Sequence, residues 1–288
     1  MWLIFGGHGQ LGTCLQLALL EHGIEYRTVG RHEVDITNMH DVSMTMKHVK
    51  PSVVVNAAAW TAVDKTEDEE DAAYVVNCLG AGRVAVAAAA HDATCVQVST
   101  DYVFSGISHT PFEATDSPAP VSAYGRTKLA GENAVRLAHP TNSLIVRTAW
   151  LYSSYKSNFA RTMVRKALEL APVNVVNDQL GQPTLASDLA HHIIDLVNAE
   201  APAGIYHGTN SGEATWFEFA QEIYRLVGAD TSLVTPVPTS QYPTRATRPA
   251  YSVLGHATTH QLGLVAMRPW RDALAESLPH IVATIEQE

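Results

Sequence analysis

Short, almost wholly apolar runs alternate along the first half of the chain with longer stretches in which apolar residues recur every third or fourth position. The first such pair is Trp2-Leu-Ile-Phe5, which stops at Gly6-Gly-His-Gly-Gln-Leu-Gly12, and then Leu11, Leu15, Ala18 and Leu19 at the spacing of one buried helix face. The same reading predicts strands over 25–29, 52–56, 94–100 and 144–148, with helices around 39–49 and 72–90. β-Branched content marks 52–56 as a strand buried on both faces, and the alanine-rich 72–90 stretch as a helix that packs closely on a sheet. Beyond 150 the pattern predicts a helix over 158–170, a sixth strand over 173–176, a helix over 186–198, a short strand over 204–208 and an amphipathic helix over 215–227. Residues 235–252, rich in Pro, Thr and Arg, predict a long loop. This alternation predicts an α/β fold with a Rossmann-like doubly wound parallel sheet. With no linker-like stretch, residues 1–150 plus parts of 151–210 are expected to form the Rossmann domain. Roughly 151–288 would contribute a smaller, interleaved C-terminal substrate domain.

Composition narrows the classes. The chain has 288 residues, 46% hydrophobic and 17% charged, as in globular proteins with a sizeable core. A net charge of -10 argues against nucleic acid as a partner. No apolar run of the length of a membrane span and no signal-peptide pattern stand out, so no membrane partner and a cytoplasmic location are expected. Cys14, Cys78 and Cys95 are odd in number and lack metal-type spacing, which predicts reduced thiols. The histidines are scattered, and adjacent His191 and His192 would face different sides of a helix, so no metal site is expected.

The candidate chemistry lies in four places. The strand–glycine turn–helix start has the spacing G-x-x-G-x-x-G. Gly6 would permit the turn, Gly9 the approach of a pyrophosphate, and Gly12 close packing of the helix, whose positive end faces the phosphates. Arg31, just past the second strand, suits a 2′-phosphate and tilts the cofactor toward NADP(H); Glu33 or Asp35 could serve the ribose of NAD(H) instead. Ala57, Ala58 and Ala59 would let a cofactor lie against the backbone. Ser99 and Thr100 end a central strand, where open α/β sheets bind ligands. Tyr124 and Lys128 stand one helical turn apart, a phenol able to protonate a substrate oxygen and an ammonium expected to lower its pKa.

These residues resemble those of the extended short-chain dehydrogenase/reductase superfamily and, within it, the dTDP-4-dehydrorhamnose reductase family. The likeness rests on Gly6 to Gly12, Asn56-Ala-Ala-Ala59, Thr61-Ala-Val-Asp-Lys65, Ser99-Thr-Asp-Tyr-Val-Phe104 and Tyr124-Gly-Arg-Thr-Lys-Leu-Ala-Gly-Glu132. It continues through Arg147-Thr-Ala-Trp150, Asn158-Phe159, Asn177-Asp-Gln-Leu-Gly-Gln-Pro-Thr184 and Arg248-Pro249, over nearly the whole chain. It implies an NADPH-dependent reductase of a dTDP-linked 4-keto-6-deoxy sugar, with Thr100, Tyr124 and Lys128 catalytic. The implied cofactor set is Gly6, Gly9, Gln10, Leu11, Gly12, Arg31, Asp35, Ile36, Ala57, Ala58, Ala59, Tyr124 and Lys128. Thr61, Val63, Tyr102 and Trp150 would line the sugar pocket, with the nucleotide end among Asn158, Phe159, Gln179 and Arg248. Arg245 and Arg248 lie in the long loop, where a guanidinium suits a diphosphate.

Two departures matter. The related dehydratases carry Thr-Asp-Glu where this chain has Thr100-Asp101-Tyr102, which favours simple carbonyl reduction over water elimination. Some family members are dimers bridged by magnesium on glutamates, whereas the matching positions here are Cys14 and Ser187, poor ligands for a hard cation. A monomer or a metal-independent dimer is therefore expected. The alternatives are another sugar-nucleotide reductase or epimerase of the superfamily, or a non-catalytic NADP-binding regulatory subunit.

Overall fold

The computed structural model describes residues 1–287. Strand β1 (Trp2–Phe5) is wholly buried and leads through the glycine turn into α1 (Gln10–Glu21). Then follow β2 (Tyr26–Val29), α2 (Met39–Val49), β3 (Val53–Asn56) and a long helix, α3 (Glu70–Ala89). Next come β4 (Thr94–Thr100), α4 (Ala123–Ala138) and β5 (Ser143–Thr148). The second part holds α5 (Phe159–Leu168), β6 (Val173–Val176), α6 (Ala186–Asn198) and β7 (Gly204–His207). It closes with α7 (Trp216–Val227), β8 (Val234–Val237) and α8 (Trp270–Glu286).

Six strands form one parallel sheet in the order β7-β5-β4-β3-β1-β2. Both its faces are covered. Leu15, Leu19, Leu189 and Ile193 of α1 and α6 pack on one side, and Val42, Met46, Val84 and Val135 of α2, α3 and α4 on the other. A strand covered on both faces has no polar side to show, which is why β1 and β3 read as unbroken apolar runs. The chain leaves β1 in one direction to β2 and returns on the other side to β3, so a crevice opens at the carboxyl ends of β1 and β3. A second core, with Met163, Phe219, Tyr224 and Leu274 at its centre, joins α5, α7 and α8. The two bodies interleave, because α6 and β7 return to the large sheet.

Three expectations are corrected. Residues 173–176 form a strand, but not in the large sheet: β6 pairs in parallel with β8, a strand where a loop was expected to begin. Val234 and Val237 are buried while Thr235 and Pro236 face outward, and a proline without an N–H is tolerated in so small a sheet. The 72–90 helix is not uniform; Val75–Gly80 is a π stretch between two α segments. That helix also has the length and apolar composition of a membrane span, with a mean hydropathy of 1.4, yet half of it is buried inside the protein.

Candidate active site

One cavity of about 1130 Å³ runs from the tip of β2, across the ends of β1, β3 and β4, to the N-terminus of α7. Its first half is made of backbone. Gly6 has φ +79°, and a Cβ there would stand 2.6 Å from the amide nitrogen of Ala58. A Cβ on Gly12 would stand 2.3 Å from the carbonyl oxygen of Gly6. Only glycine permits this turn and this approach of α1. Gly9 begins α1, and neither a capping side chain nor an acid in the first turn neutralises the helix end. The amides and positive pole at Gln10 and Leu11 thus face the cavity, as a phosphate site requires.

Beside this turn the two acids considered for a ribose already have partners. Glu33 accepts from the Gly30 amide (2.7 Å) and pairs with His8 (3.0 Å), and Asp35 accepts from the amide and hydroxyl of Thr37 (both 2.8 Å). These bonds hold both carboxyls below the usual carboxylate range. Arg31 is exposed at the rim and makes no hydrogen bond or ion pair among the described residues. Ala57, Ala58, Ala59 and the buried Ile36 complete this wall.

At the middle, β4 delivers Thr100 and α4 delivers Tyr124 and Lys128. Ser122 caps α4, its side chain accepting from the Gly125 amide (3.1 Å), and Gly125 lets the helix start against the carbonyl of Tyr102. The Thr100 hydroxyl donates to Asp101 (2.9 Å) and accepts from the Tyr102 amide (3.2 Å). Lys128 Nζ donates to the carbonyl of Val98 (2.7 Å). Burial pushes the Tyr124 phenol well above its ordinary range, with Asp101 adding to it and the Thr100 hydroxyl opposing. The expected lowering by Lys128 is absent: burial dominates the phenol, and the Lys128 ammonium donates to Val98. Burial likewise brings Lys128 down to about 8, against the pull of Glu132, and Asp101 up to about 6.

The far half is built from side chains. Thr61, Val63 and Tyr102 line it, and Tyr102 meets Tyr124 edge to face at 5.6 Å. Trp150 has φ +45°, a strained position for a bulky residue, and lies flat on Trp216 at 3.6 Å between ring centroids. Gly181 makes room for it, since a Cβ there would stand 2.5 Å from the Trp150 ring. Phe159 packs on Trp216 at 4.6 Å. Asn158 lines the cavity, but its amide caps α5 through the Arg161 nitrogen (3.0 Å) and donates to Gln10 (2.9 Å), tying the 153–158 loop over α1.

Of the residues singled out in the sequence, Gln179 and Arg248 do not line this cavity. Gln179 donates to Thr239 (3.0 Å), and Arg248 bridges Asp64 (2.7 Å) and Tyr102 (3.2 Å). Arg245 is paired with Asp68. The sequence reading missed Trp216 and Lys156, which do line it. The capping box of Thr215 and Glu218 starts α7, and Trp216 is its first residue, a place that turn chemistry alone does not mark as functional. It also missed Asn77 of the π stretch. Its amide holds the Trp60 backbone (2.8 and 3.2 Å) and Thr127 of α4 (3.1 Å), so the odd helical turn joins two walls of the site. No group of three or more His, Cys, Asp or Glu among the described residues is placed to hold a metal ion.

The cavity thus has a glycine turn at one end and Thr100, Tyr124 and Lys128 at its centre, and comparison with known proteins places the chain. The family model described as the RmlD substrate binding domain matches residues 1–282. The chain belongs to this family. It is similar to the dTDP-4-dehydrorhamnose reductase of Streptomyces griseus, 43% identical over 96% of this chain and 93% of that one. It is similar also to the dTDP-4-keto-6-deoxy-D-glucose reductase of Streptomyces niveus, 42% identical over 96% of each. Among solved structures, the dTDP-4-dehydrorhamnose reductase of Bacillus anthracis in complex with NADP matches with a TM-score of 0.93. It is 37% identical and covers 96% of this chain and 98% of that one. The RmlD family's fold is therefore the fold found here, with its parallel Rossmann-like sheet.

Proposed function

We propose that this protein reduces the C4 keto group of dTDP-4-dehydrorhamnose with NADPH, giving dTDP-L-rhamnose. The observation that carries the reading is the meeting of Thr100, Tyr124 and Lys128 at the end of β4, midway along a cavity that begins at the Gly6–Gly12 turn. The cofactor fits the residues present. The Gly6 and Gly12 cradle would be filled by any Cβ, the α1 amides suit the pyrophosphate, and Arg31 is unengaged and ready for a 2′-phosphate. The likeness to a reductase solved with NADP supports the same preference, with NAD(H) a weaker alternative.

When bound, the nicotinamide supplies the hydride for C4. Tyr124, kept protonated by its burial, gives its proton to the oxygen at C4, and Thr100 orients that oxygen. Lys128 holds positive charge beside the phenol as the proton leaves. Tyr102, Trp150 and Trp216 exclude water and offer flat faces to a sugar. Residues 1–150, with the returning α6 and β7, would bind the cofactor, and the remainder from 151 the sugar nucleotide.

The buried, free thiols Cys14, Cys78 and Cys95 support a reducing, cytoplasmic setting. A monomer or metal-independent dimer is supported by Cys14. Its thiol is buried under α6 and pushed up to about 12 by burial, then by Asp188, which makes it a poor metal ligand. The test is a panel of dTDP-linked 4-keto-6-deoxy sugars, followed by NADPH absorbance and with products assigned by NMR. dTDP-L-rhamnose as the favoured product supports the reading. The similarity to the Streptomyces niveus enzyme makes dTDP-4-keto-6-deoxyglucose the competing substrate, and preference for it would replace the reading. No turnover with any sugar would point to a regulatory subunit.

A further inference from the structure

Glu132 lies one turn beyond Lys128 and two beyond Tyr124 on α4, is only 2% exposed, and does not itself line the cavity. Three bonds hold it. Ser99 of β4 donates its hydroxyl to Oε1 (2.5 Å), and Arg147 of β5 donates Nε to Oε1 (2.9 Å) and Nη2 to Oε2 (2.7 Å). Ser99 and Arg147 are register partners on adjacent strands, next to Thr100 and Thr148. A single carboxylate therefore ties the helix that carries Tyr124 and Lys128 to the strand that carries Thr100. Desolvating such a pair is costly, and well-packed apolar residues can replace it without loss of stability. Its place beside the site therefore calls for a role other than stability.

We propose that Glu132 is a positioning residue of the reduction: it fixes α4 in register with β4 and supplies the counter-charge that keeps Lys128 an ammonium. This rests on the reductase reading above. Glu132, one turn on along α4, is the charge that acts on Lys128. Arg147 of β5 is paired with that same carboxylate, and its charge acts on His207 of β7. Burial and then the Arg147 charge push His207 down to about 3, so it stays neutral. Lys128 is displaced downward by burial, and Glu132 is the group that opposes this. The sign follows: losing the carboxylate disfavours the ammonium, so Lys128 gives up its proton at lower pH.

The test titrates the full-length, cofactor-free chain labelled at lysine Cε with ¹³C, using Lys128→Met to identify the Lys128 signal. Glu132→Gln is expected to lower the Lys128 midpoint by about one unit, the low end of what one opposite charge contributes. The alkaline limb of NADPH-dependent reduction should move the same way. Because Glu132→Gln leaves Arg147 buried without its anion, Glu132→Gln/Arg147→Met is measured too, with a midpoint expected between those of the single variant and the parent. Ser99→Ala, which removes one bond and no charge, is expected to fold and to lower kcat about tenfold with KM kept, the kinetic equivalent of one hydrogen bond to a charged group. A parental Lys128 midpoint in either folded Glu132 variant, or parental kcat in Ser99→Ala, overturns the proposal. The NMR reads the free protein, so absence of sugar turnover by the parent would sink the reductase reading and leave this test standing.

Discussion

At the cofactor end of the cavity the walls are backbone drawn from one short segment, with Gly6, Gly9, Gly12 and the α1 amides within seven residues of each other. At the substrate end the walls are side chains from four separate segments, with Val63, Tyr102, Trp150 and Trp216 meeting only in the folded protein. Under the proposed reading the first end would recognise what every dinucleotide shares, and it tolerates little change, because a Cβ on Gly6 or Gly12 would collide with main chain. The second would recognise the sugar nucleotide, and exchanging one side chain would alter it. A reductase built this way would keep its cofactor and its proton donor while its substrate preference changed. This fits relatives with differently named substrates at 42% and 43% identity.

Substitutions can break this contrast. The largest effect is expected at the centre, where the two ends meet. Tyr124→Phe should leave folding and NADPH binding intact while kcat falls ~10²–10⁴-fold, the usual contribution of a positioned acid. Near-parental single-turnover reduction would make Tyr124 only a helix-face residue.

Arg31→Ala is expected to weaken NADPH binding about tenfold or more, the equivalent of a lost charge-assisted bond to the 2′-phosphate. NADH binding should hardly change, and equal titration curves for the two cofactors in the parent would remove Arg31 from the site. At the other end, Trp216→Ala should raise KM for the sugar nucleotide about three- to tenfold, as expected from one aromatic contact. NADPH affinity should stay the same. If both affinities fell together, the two ends would not be separable in the way described. The smallest effect is none at all: EDTA should change neither the mass in solution by light scattering nor the activity. A dimer that dissociates on chelation would show that Cys14 and Ser187 had been misread.

The sequence legibly carried those parts of the protein that depend on neighbours along the chain. β1 and β3 announced themselves because strands covered on both faces need show no polar side, and the glycine turn because its strain is local. Tyr124 and Lys128 were readable because one helical turn brings them to one face. The pairing of β6 with β8 was hidden, since Pro236 and exposed Thr235 have the composition of a loop and only the partner strand makes them a strand. Trp216 was hidden for a related reason: its role depends on lying 3.6 Å from Trp150, sixty-six positions away.

Burial decided the rest. Spacing placed an ammonium beside a phenol and implied a lowered pKa, but only the packed interior shows Lys128 bonded to Val98 and the phenol displaced upward. Arg248 carried the chemistry of a phosphate ligand, and the fold places it between Asp64 and Tyr102, behind the cavity wall. Residue types and their local order determined the fold class, the glycine turn and the shared helix face of Tyr124 and Lys128, because those rest on periodicity and backbone sterics. The side-chain wall at the far end of the cavity, the direction in which burial displaces Tyr124 and Lys128, and the tie from Glu132 to Ser99 and Arg147 depend on long-range contact and loss of water, so only the tertiary structure decided them.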